Sequence, residues 1–185
     1  MKLCQIKGCT NLEQKRHKRI LIIGSGGAGK STLSKKLAHQ WGLPVVHLDA
    51  LFWNAGWVPT NKLEFREKLR KQLEQEEWII DGNFDSTLEL RAEYADLIIF
   101  LDFPKVLCTY RVLKRAWMFR GTTRPDMAPG CNEKIDIKFA KWVWSFPKDA
   151  RPGILDVLRK LKHVDICILK NQKEVKSFLM TAPSV

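Results

Sequence analysis

A glycine-rich segment between an apolar run and a helical pattern constrains the fold of this chain more than any other feature. Residues 24–31 read Gly-Ser-Gly-Gly-Ala-Gly-Lys-Ser and match the pattern G-x-x-x-x-G-K-[ST] at every fixed position. Residues 19–23 before it form a short β-branched run that is typical of a buried strand in a parallel sheet. A helical pattern follows from residue 31 to residue 40. A strand, this loop and a helix in that order predict a phosphate-binding loop.

The residue types of this loop suit a nucleoside triphosphate. Glycines let backbone N–H groups wrap around a phosphate without β-carbons in the way, and the helix N-terminus adds a favourable dipole. Lys30 is expected to bridge the β- and γ-phosphates of ATP, and the Ser31 hydroxyl to ligate Mg²⁺. The alternative is a glycine-rich turn without a ligand, which the flanking strand and helix disfavour. The loop residues predicted to bind the nucleotide are Gly24, Ser25, Gly26, Gly27, Ala28, Gly29, Lys30, Ser31 and Thr32.

The rest of the chain alternates between strand and helix patterns. Four further apolar runs predict strands at residues 45–48, 78–80, 97–101 and 164–168. Helical patterns cover residues 31–40, 61–76, 87–94, 105 to about 120 and 152–161. Asn61 followed by Glu64 predicts the capped start of the second of these helices. The alternation predicts an α/β fold, with a five-stranded parallel sheet and helices on both of its faces.

Length and charge set the domain organisation and the class of partner. The 185 residues correspond to one domain, which we place at 19–185, after a basic extension at 1–18 to which no function is assigned. The net charge is +12, and residues 103–185 alone carry +10, which favours a polyanionic partner, either nucleic acid or a phosphate-rich ligand. We find no apolar run long enough to span a membrane and no secretory signal, so we expect a cytoplasmic protein without a membrane partner.

Two acids follow predicted strands. Asp49 comes after the second strand and Asp81 after the third, in the segment Ile79-Ile80-Asp81-Gly82. The carboxyl ends of parallel strands are where α/β folds bind their ligands, so both acids should face the phosphate site. One of them can assist Mg²⁺ while the other accepts a proton from a substrate group or orients it. Helix capping is the alternative role for either residue.

The order of these motifs resembles the adenylate kinase and shikimate kinase group of small P-loop kinases. More narrowly, the segments His47–Trp53, Trp78–Asn83 and Thr123–Met127 are similar to the bacterial adenylate-kinase-related proteins called DNA topology modulation proteins. The similarity covers roughly residues 20–168. It implies a three-layer fold whose sheet has the strand order 2-3-1-4-5, with a small lid at about 120–133. In that order the third strand lies beside the loop strand and presents Asp81 to the metal.

The resemblance also implies roles for individual residues. Ser31 and Asp81 would hold Mg²⁺, and Asp49 would orient or deprotonate the acceptor. Arg111 would lie near the nucleotide base or ribose, and Arg115 on the transferring phosphate. Charge on that phosphate must be neutralised by cations, and the planar guanidinium of arginine suits this role. Arg120 and Arg124 flank the lid turn, and the resemblance implies that they close over the γ-phosphate. The predicted catalytic residues are Lys30, Asp49, Arg115 and Arg124.

The chain departs from adenylate kinases on the acceptor side. After Asp81-Gly82 those enzymes have Phe-Pro-Arg, whereas residues 83–85 here are Asn-Phe-Asp, which argues against AMP as the acceptor. Arg91 is a possible substitute if its helix faces the cleft, or else it forms a surface ion pair. The aromatic residues at 52, 53 and 57 either form a wall of the acceptor site or pack a helix onto the sheet. His47 is expected to be a hydrogen-bonded core histidine.

Two hypotheses follow. The first is an ATP- and Mg²⁺-dependent phosphotransferase that acts on a small-molecule or nucleotide acceptor. The second is a nucleotide-responsive DNA-binding protein with little or no kinase activity, suggested by the basic charge and by the narrower resemblance.

Overall fold

The computed structural model describes residues 17–181, and a five-stranded parallel sheet lies at its centre. The strand order is β2-β5-β1-β6-β7, which is 2-3-1-4-5 when only these five strands are counted, so the predicted fold is confirmed. The sheet strands are β1 (Arg19–Gly24), β2 (Val45–His47), β5 (Trp78–Asp81), β6 (Leu97–Leu101) and β7 (Asp165–Leu169). A separate antiparallel pair consists of β3 (Trp53–Asn54) and β4 (Val58–Pro59).

The helices cover both faces of the sheet. They are α1 (Lys30–Trp41), α2 (Leu48–Phe52), α3 (Lys62–Leu73), α4 (Leu88–Tyr94), α5 (Lys105–Met118), α6 (Ile137–Asp149), α7 (Arg151–Lys160) and α8 (Gln172–Thr181). Successive side chains of a strand point to opposite faces, so Ile20 and Ile22 pack with α1, α5 and α8. Leu21 and Ile23 pack on the other face with α3, α4 and α7. This double burial explains why β1 is a continuous apolar run.

Local sequence signals set several helix boundaries. The side chain of Asn61 accepts a hydrogen bond of 2.8 Å from the backbone N–H of Leu63, which confirms the predicted cap of α3. Asp136 caps α6 in the same way by accepting a hydrogen bond from the backbone N–H of Phe139. Such caps satisfy N–H groups that lack an intrahelical partner. They therefore fix where each helix begins.

The structure contains short elements that the sequence patterns do not predict. The second strand ends at His47 rather than at Leu48, because Leu48 is the first residue of α2. The β3–β4 hairpin, residues 53–59, has strands of two residues, too short to show a period. Its turn includes a 3₁₀ segment in which Gly56 and Trp57 have φ angles of 75° and 64°. Two longer helices, α6 and α8, are also additions to the predicted elements.

Residues 1–16 of the predicted basic extension lie outside the described residues. His17 is buried, and its Nε2 lies 2.9 Å from an oxygen of Asp165. Lys18 forms an ion pair of 3.1 Å with Glu77. These two residues therefore contact the domain. Among residues 17–181, each helix falls short of the length and apolar character that a membrane crossing requires.

The packing of α3 onto the sheet gives a test of the fold. Leu69 is fully buried in the core beneath α3, and the change Leu69→Ala should lower the free energy of unfolding by about 2–5 kcal/mol through lost burial and a cavity. Leu63 lies on the same helix but is 72% exposed, so Leu63→Ala should change the free energy of unfolding by about 0.5 kcal/mol or less. Urea denaturation followed by circular dichroism measures both. Equal effects of the two changes would contradict this packing.

Candidate functional site

The glycine-rich loop lies at the carboxyl edge of the sheet. It leaves β1 at Gly24, and α1 begins at Lys30, so the N-terminus of α1 points toward the loop. Gly29 has a φ of 98°, a left-handed conformation that favours glycine directly before the helix. Gly27 has a φ of 76°, and a β-carbon there would collide with the carbonyl oxygen of Cys108 in α5. Both glycines are therefore required by the backbone path of the loop.

The ammonium group of Lys30 lies against the start of the loop. Its Nζ donates hydrogen bonds of 2.9 Å and 3.0 Å to the carbonyl oxygens of Gly24 and Ser25. Burial lowers the pKa of Lys30, and the negative charges of Asp49 and Asp81 oppose that shift. Burial raises the pKa of Asp49, and the positive charge of Lys30 opposes this shift in turn. Lys30, the predicted cation, and Asp49, the predicted base, therefore interact electrostatically.

Asp81 is buried where β5 ends. One of its carboxylate oxygens accepts a 2.6 Å hydrogen bond from the Ser34 hydroxyl in α1 and lies 2.9 Å from Nδ1 of His47. Burial alone would lower the pKa of His47, but the hydrogen bond and charge of Asp81 outweigh it and raise this pKa above 6.5. His47 is therefore a hydrogen-bonded histidine, as expected from the sequence. Its contact and that of Ser34 fix the Asp81 carboxylate beside the first turns of α1.

The lid, residues 120–133, carries a chain of charged contacts over the loop. Nε of Arg124 lies 2.5 Å from an oxygen of Glu133, and its Nη1 lies 2.8 Å from Asp126. The same oxygen of Glu133 lies 3.4 Å from Nε of Arg115 in α5. Burial and the nearby Arg124 lower the pKa of Arg115. The lid therefore brings two predicted catalytic arginines, Arg115 and Arg124, together on one buried carboxylate.

Asp126 extends these contacts to the loop. Burial would raise the pKa of Asp126, but the charge of Arg124 and a hydrogen bond with the Ser31 side chain lower it. Neither Asp126 nor Glu133 is among the site residues predicted from the sequence, although Asp126 lies in the motif at 123–127. The sequence does not reveal that Asp126 contacts Arg124 and Ser31, or that Glu133 lies close to Arg115 and Arg124. The fold of the lid brings these groups together.

The lid is joined to the β3–β4 hairpin by three polar contacts, which we call the clasp. The Gly56 N–H donates to the carbonyl of Gly130 at 2.9 Å. Nε1 of Trp57 donates to the carbonyl of Asn132 at 2.8 Å, and Sγ of Cys131 donates to the carbonyl of Asn54 at 3.1 Å. Because the hairpin follows β2 and the lid follows α5, the clasp links two segments that are distant in sequence.

Arg111 lies on the opposite side of the loop from β5. Its guanidinium carbon is 5.6 Å from the centre of the Phe103 ring, and its Nη1 is 3.5 Å from the carbonyl of Gly27. Phe103 follows β6, so the sheet order places Arg111 on the β6 side of the cleft. Arg120, by contrast, is exposed.

The aromatic residues after Asp49 divide between the two roles left open by the sequence. Phe52 packs against Phe65 and Phe84, with ring centres 5.2 Å and 4.8 Å away, and so holds α3 against the segment after β5. Trp53 and Trp57 pack edge to face, with ring centres 5.6 Å apart, and line the cleft. One aromatic residue is thus structural and two form a wall.

Arg91 has neither of the roles considered for it. It is fully buried and donates hydrogen bonds to the carbonyl oxygens of Gly82 at 3.1 Å and Phe84 at 2.8 Å. It also donates to the carbonyl and hydroxyl of Thr87. Burial lowers its pKa to about 9, against the opposing charge of Asp85. Arg91 therefore shapes the turn after β5 and leaves no guanidinium in the cleft there.

These residues surround one cleft of about 1300 Å³. The structure brings all of the predicted catalytic residues to its wall, together with most of the loop. The lining residues include Gly26, Gly27, Ala28, Gly29, Lys30, Ser31, Thr32, Asp49, Trp53, Trp57, Asn83, Phe84, Asp85, Arg111, Arg115, Arg124, Asp126 and Glu133. Asp81 lies below this wall, one hydrogen bond from Ser34.

Three of the solved structures that are similar to this chain are described as kinases. Shikimate kinase from Acinetobacter baumannii, in complex with shikimate, matches with a TM-score of 0.57 and 15% identity over 88% of this chain and 89% of that one. Shikimate kinase from Bacteroides thetaiotaomicron gives 0.55 and 16%, over 89% and 96% of the two chains. A sugar kinase from Janibacter sp. HTCC2649 gives 0.51 and 16%, over 90% and 92%.

The chain has a P-loop kinase-like fold. At these identities the likeness is one of fold. No protein-family model matches the sequence, and no curated protein matches it significantly.

The buried hydrogen bonds of Arg91 give a test of the site's scaffold. The change Arg91→Met keeps much of the side-chain volume but leaves several buried carbonyl groups without a donor. The free energy of unfolding should therefore fall by about 3 kcal/mol. Arg159 forms only an exposed ion pair with Asp156, so Arg159→Met should cost about 0–1 kcal/mol. Chemical denaturation compares them. A loss at Arg91 no larger than that at Arg159 would be inconsistent with this role.

Proposed function

We propose that this protein is an ATP-dependent kinase that transfers the γ-phosphoryl group to a hydroxyl group of a small molecule. The observation that carries the proposal is the convergence of Lys30, Asp49, Arg115 and Arg124 on one cleft beside a phosphate-binding loop. Phosphoryl transfer requires positioning and positive charge around the transferred group more than covalent chemistry by the protein. This cleft supplies both.

The donor would bind with its phosphates in the loop. Backbone N–H groups of the loop and the N-terminus of α1 favour the phosphate charge, and Lys30 adds its ammonium. Arg111, which lies over the Phe103 ring on the β6 side, would hold the nucleoside end of ATP. The charged chain from Arg115 through Glu133 to Arg124 holds both guanidinium groups in place before the phosphate arrives.

The oxygen groups beside the loop fit Mg²⁺. The Ser31 hydroxyl and the Asp81 carboxylate are hard oxygen donors near the start of α1, and Asp126 contacts Ser31 from the lid. Among residues 17–181 there is no cluster of three or more His, Cys, Asp or Glu that could hold a metal. Mg²⁺ commonly takes only one or two protein carboxylates and completes its shell with phosphates and water. When bound, it would neutralise charge on the β- and γ-phosphates.

The transfer step then uses the cleft residues in defined roles. The acceptor oxygen forms a bond to the γ-phosphorus, and the bond from that phosphorus to the oxygen bridging to the β-phosphate breaks. The hydroxyl proton passes to Asp49, and the products are ADP and a phosphate ester. Burial raises the pKa of Asp49, which improves its capacity to accept that proton. Lys30, Arg115 and Arg124 neutralise the oxygens of the transferred group.

The comparisons support this class of reaction. The similar structures are described as shikimate kinases and a sugar kinase, and one contains shikimate. The narrower resemblance to DNA topology modulation proteins adds the hypothesis of DNA binding, which rests on basic charge and that resemblance. The convergence of residues in the cleft favours phosphoryl transfer over that alternative.

Lys30 gives the first test of the proposal. ADP release from ATP and Mg²⁺ should be measured against a panel of nucleosides, nucleoside monophosphates and hydroxylated metabolites. With the best acceptor, Lys30→Ala should lower turnover by about 10²-fold or more, because one cation at the phosphates is lost. Lys71→Ala, on an exposed part of α3, should leave turnover unchanged. Full activity of the Lys30 variant would refute the assignment.

Asp49 gives a test of the acceptor side. Asp49→Asn removes the proposed proton acceptor, so kcat should fall by about 10²- to 10⁴-fold. The affinity for ATP, measured by calorimetry, should change little because Asp49 is assigned to the acceptor. The exposed Asp149 at the end of α6 supplies a control as Asp149→Asn. A variant that loses ATP binding but keeps kcat would assign Asp49 to the nucleotide instead.

A further inference from the structure

The sheet order divides the cleft into two sides. On one side of β1 lie β5 and β2, and on the other lie β6 and β7. Asp49 and residues 83–85 follow β2 and β5, whereas Arg111 lies by the β6 side. If Asp49 receives the acceptor's proton, the acceptor must bind on the β2–β5 side. This step rests on the proposed function.

The wall of the cleft on the β2–β5 side has a distinctive chemistry. Its lining residues from the segments at 49–57 and 83–85 are Asp49, Trp53, Trp57, Asn83, Phe84 and Asp85. They comprise two carboxylates, one amide and three aromatic rings. Among the described residues of these two segments, the lining contains no lysine or arginine. Nδ2 of Asn83 donates to one carboxylate oxygen of Asp85 at 2.9 Å, which leaves the second carboxylate oxygen of Asp85 for a ligand.

Arg91 and Arg124, whose charges act on Asp85 and Asp49, form their hydrogen bonds and ion pairs with other groups. Arg91 is fully buried, and its donors are directed at the carbonyls of the turn after β5. Arg124 contacts two acids of the lid, Asp126 and Glu133, and its remaining charge is assigned to the transferred phosphoryl group. Lys35, Lys36 and Lys134 also line the cleft, but all three are exposed. A carboxylate or phosphate on the acceptor would therefore lose water without gaining a dedicated cation, beside two carboxylates that repel it.

We infer that the acceptor is a polyhydroxylated ring that carries no negative charge, either neutral or bearing an amine. Hydroxyl or ammonium groups can donate hydrogen bonds to the carboxylates of Asp49 and Asp85. Trp53 and Trp57 line the cleft and supply apolar ring surface for the C–H side of a ligand ring. This composition, apolar walls with a few convergent polar groups, is that of a small-molecule site.

A panel of matched acceptors tests the inference. Glucose, glucosamine and adenosine represent the inferred class, and glucuronate, shikimate and AMP are their negatively charged counterparts. When ADP release is measured, kcat/KM for at least one of glucose, glucosamine and adenosine should be about tenfold or more above that for every negatively charged acceptor. A negatively charged acceptor loses one charge-assisted hydrogen bond and is repelled by the carboxylates of the wall.

The outcomes separate the inference from the proposed function. Preference for a negatively charged acceptor would overturn the inference while leaving the kinase assignment standing. ATP binding by calorimetry with no ADP release for any neutral or amine-bearing member would also overturn it. Absence of both ATP binding and ADP release for the whole panel would overturn the kinase assignment itself.

Asp85 provides a second measurement within the same protein. Asp85→Asn should raise KM for glucosamine by about tenfold, because it removes a charge that attracts the ammonium group. The same change removes repulsion of the glucuronate carboxylate, so the ratio of kcat/KM for glucosamine to that for glucuronate should fall. The control Asp149→Asn should change neither KM, and thermal unfolding checks that both variants are folded. Unchanged discrimination in the Asp85 variant would count against the charge argument.

Discussion

The central strand β1 is the constraint on which the rest of the structure depends. It is paired on both sides, with β5 and β6, and its side chains enter both halves of the core. Its end fixes where the glycine-rich loop starts, and α1 carries the loop's last residues back across the sheet. Pairing with β5 brings Asp81 beside α1, and pairing with β6 brings α5 beside the loop. The position of each charged group in the cleft follows from these two pairings.

Charge in the cleft is balanced by acids and bases from different elements. Asp49 and Asp81 oppose the charge of Lys30, and one oxygen of Glu133 lies close to both Arg115 and Arg124. A buried arginine without a partner is costly, so the acids of the lid stabilise the buried Arg124 and also hold the partly buried Arg115. The same acids reduce the net positive charge that an incoming phosphate meets. The lid thus exchanges some attraction for fixed geometry.

Sequence patterns predicted the fold and the loop side of the site well, because each signal there is local. Buried strands read as apolar runs, and the loop motif needs only eight consecutive residues. Glu133 could not be predicted in this way, since its contacts to Arg115 and Arg124 depend on how the lid folds back. Arg91 was misjudged for a related reason. Its surroundings are backbone carbonyls of a turn, which no side-chain pattern reveals.

The clasp between lid and hairpin has a consequence for how the cleft opens. All three of its acceptors are backbone carbonyl groups, whereas two of its three donors are the side chains of Trp57 and Cys131, so the joint depends both on the path of the chain and on these two side chains. Each such contact contributes about 0.5–1.5 kcal/mol net, so parting the lid from the hairpin costs only a few kcal/mol. Lid movements of this kind occur within microseconds to milliseconds. Because residues of both the hairpin and the lid line the cleft, one opening of the clasp would uncover both walls together.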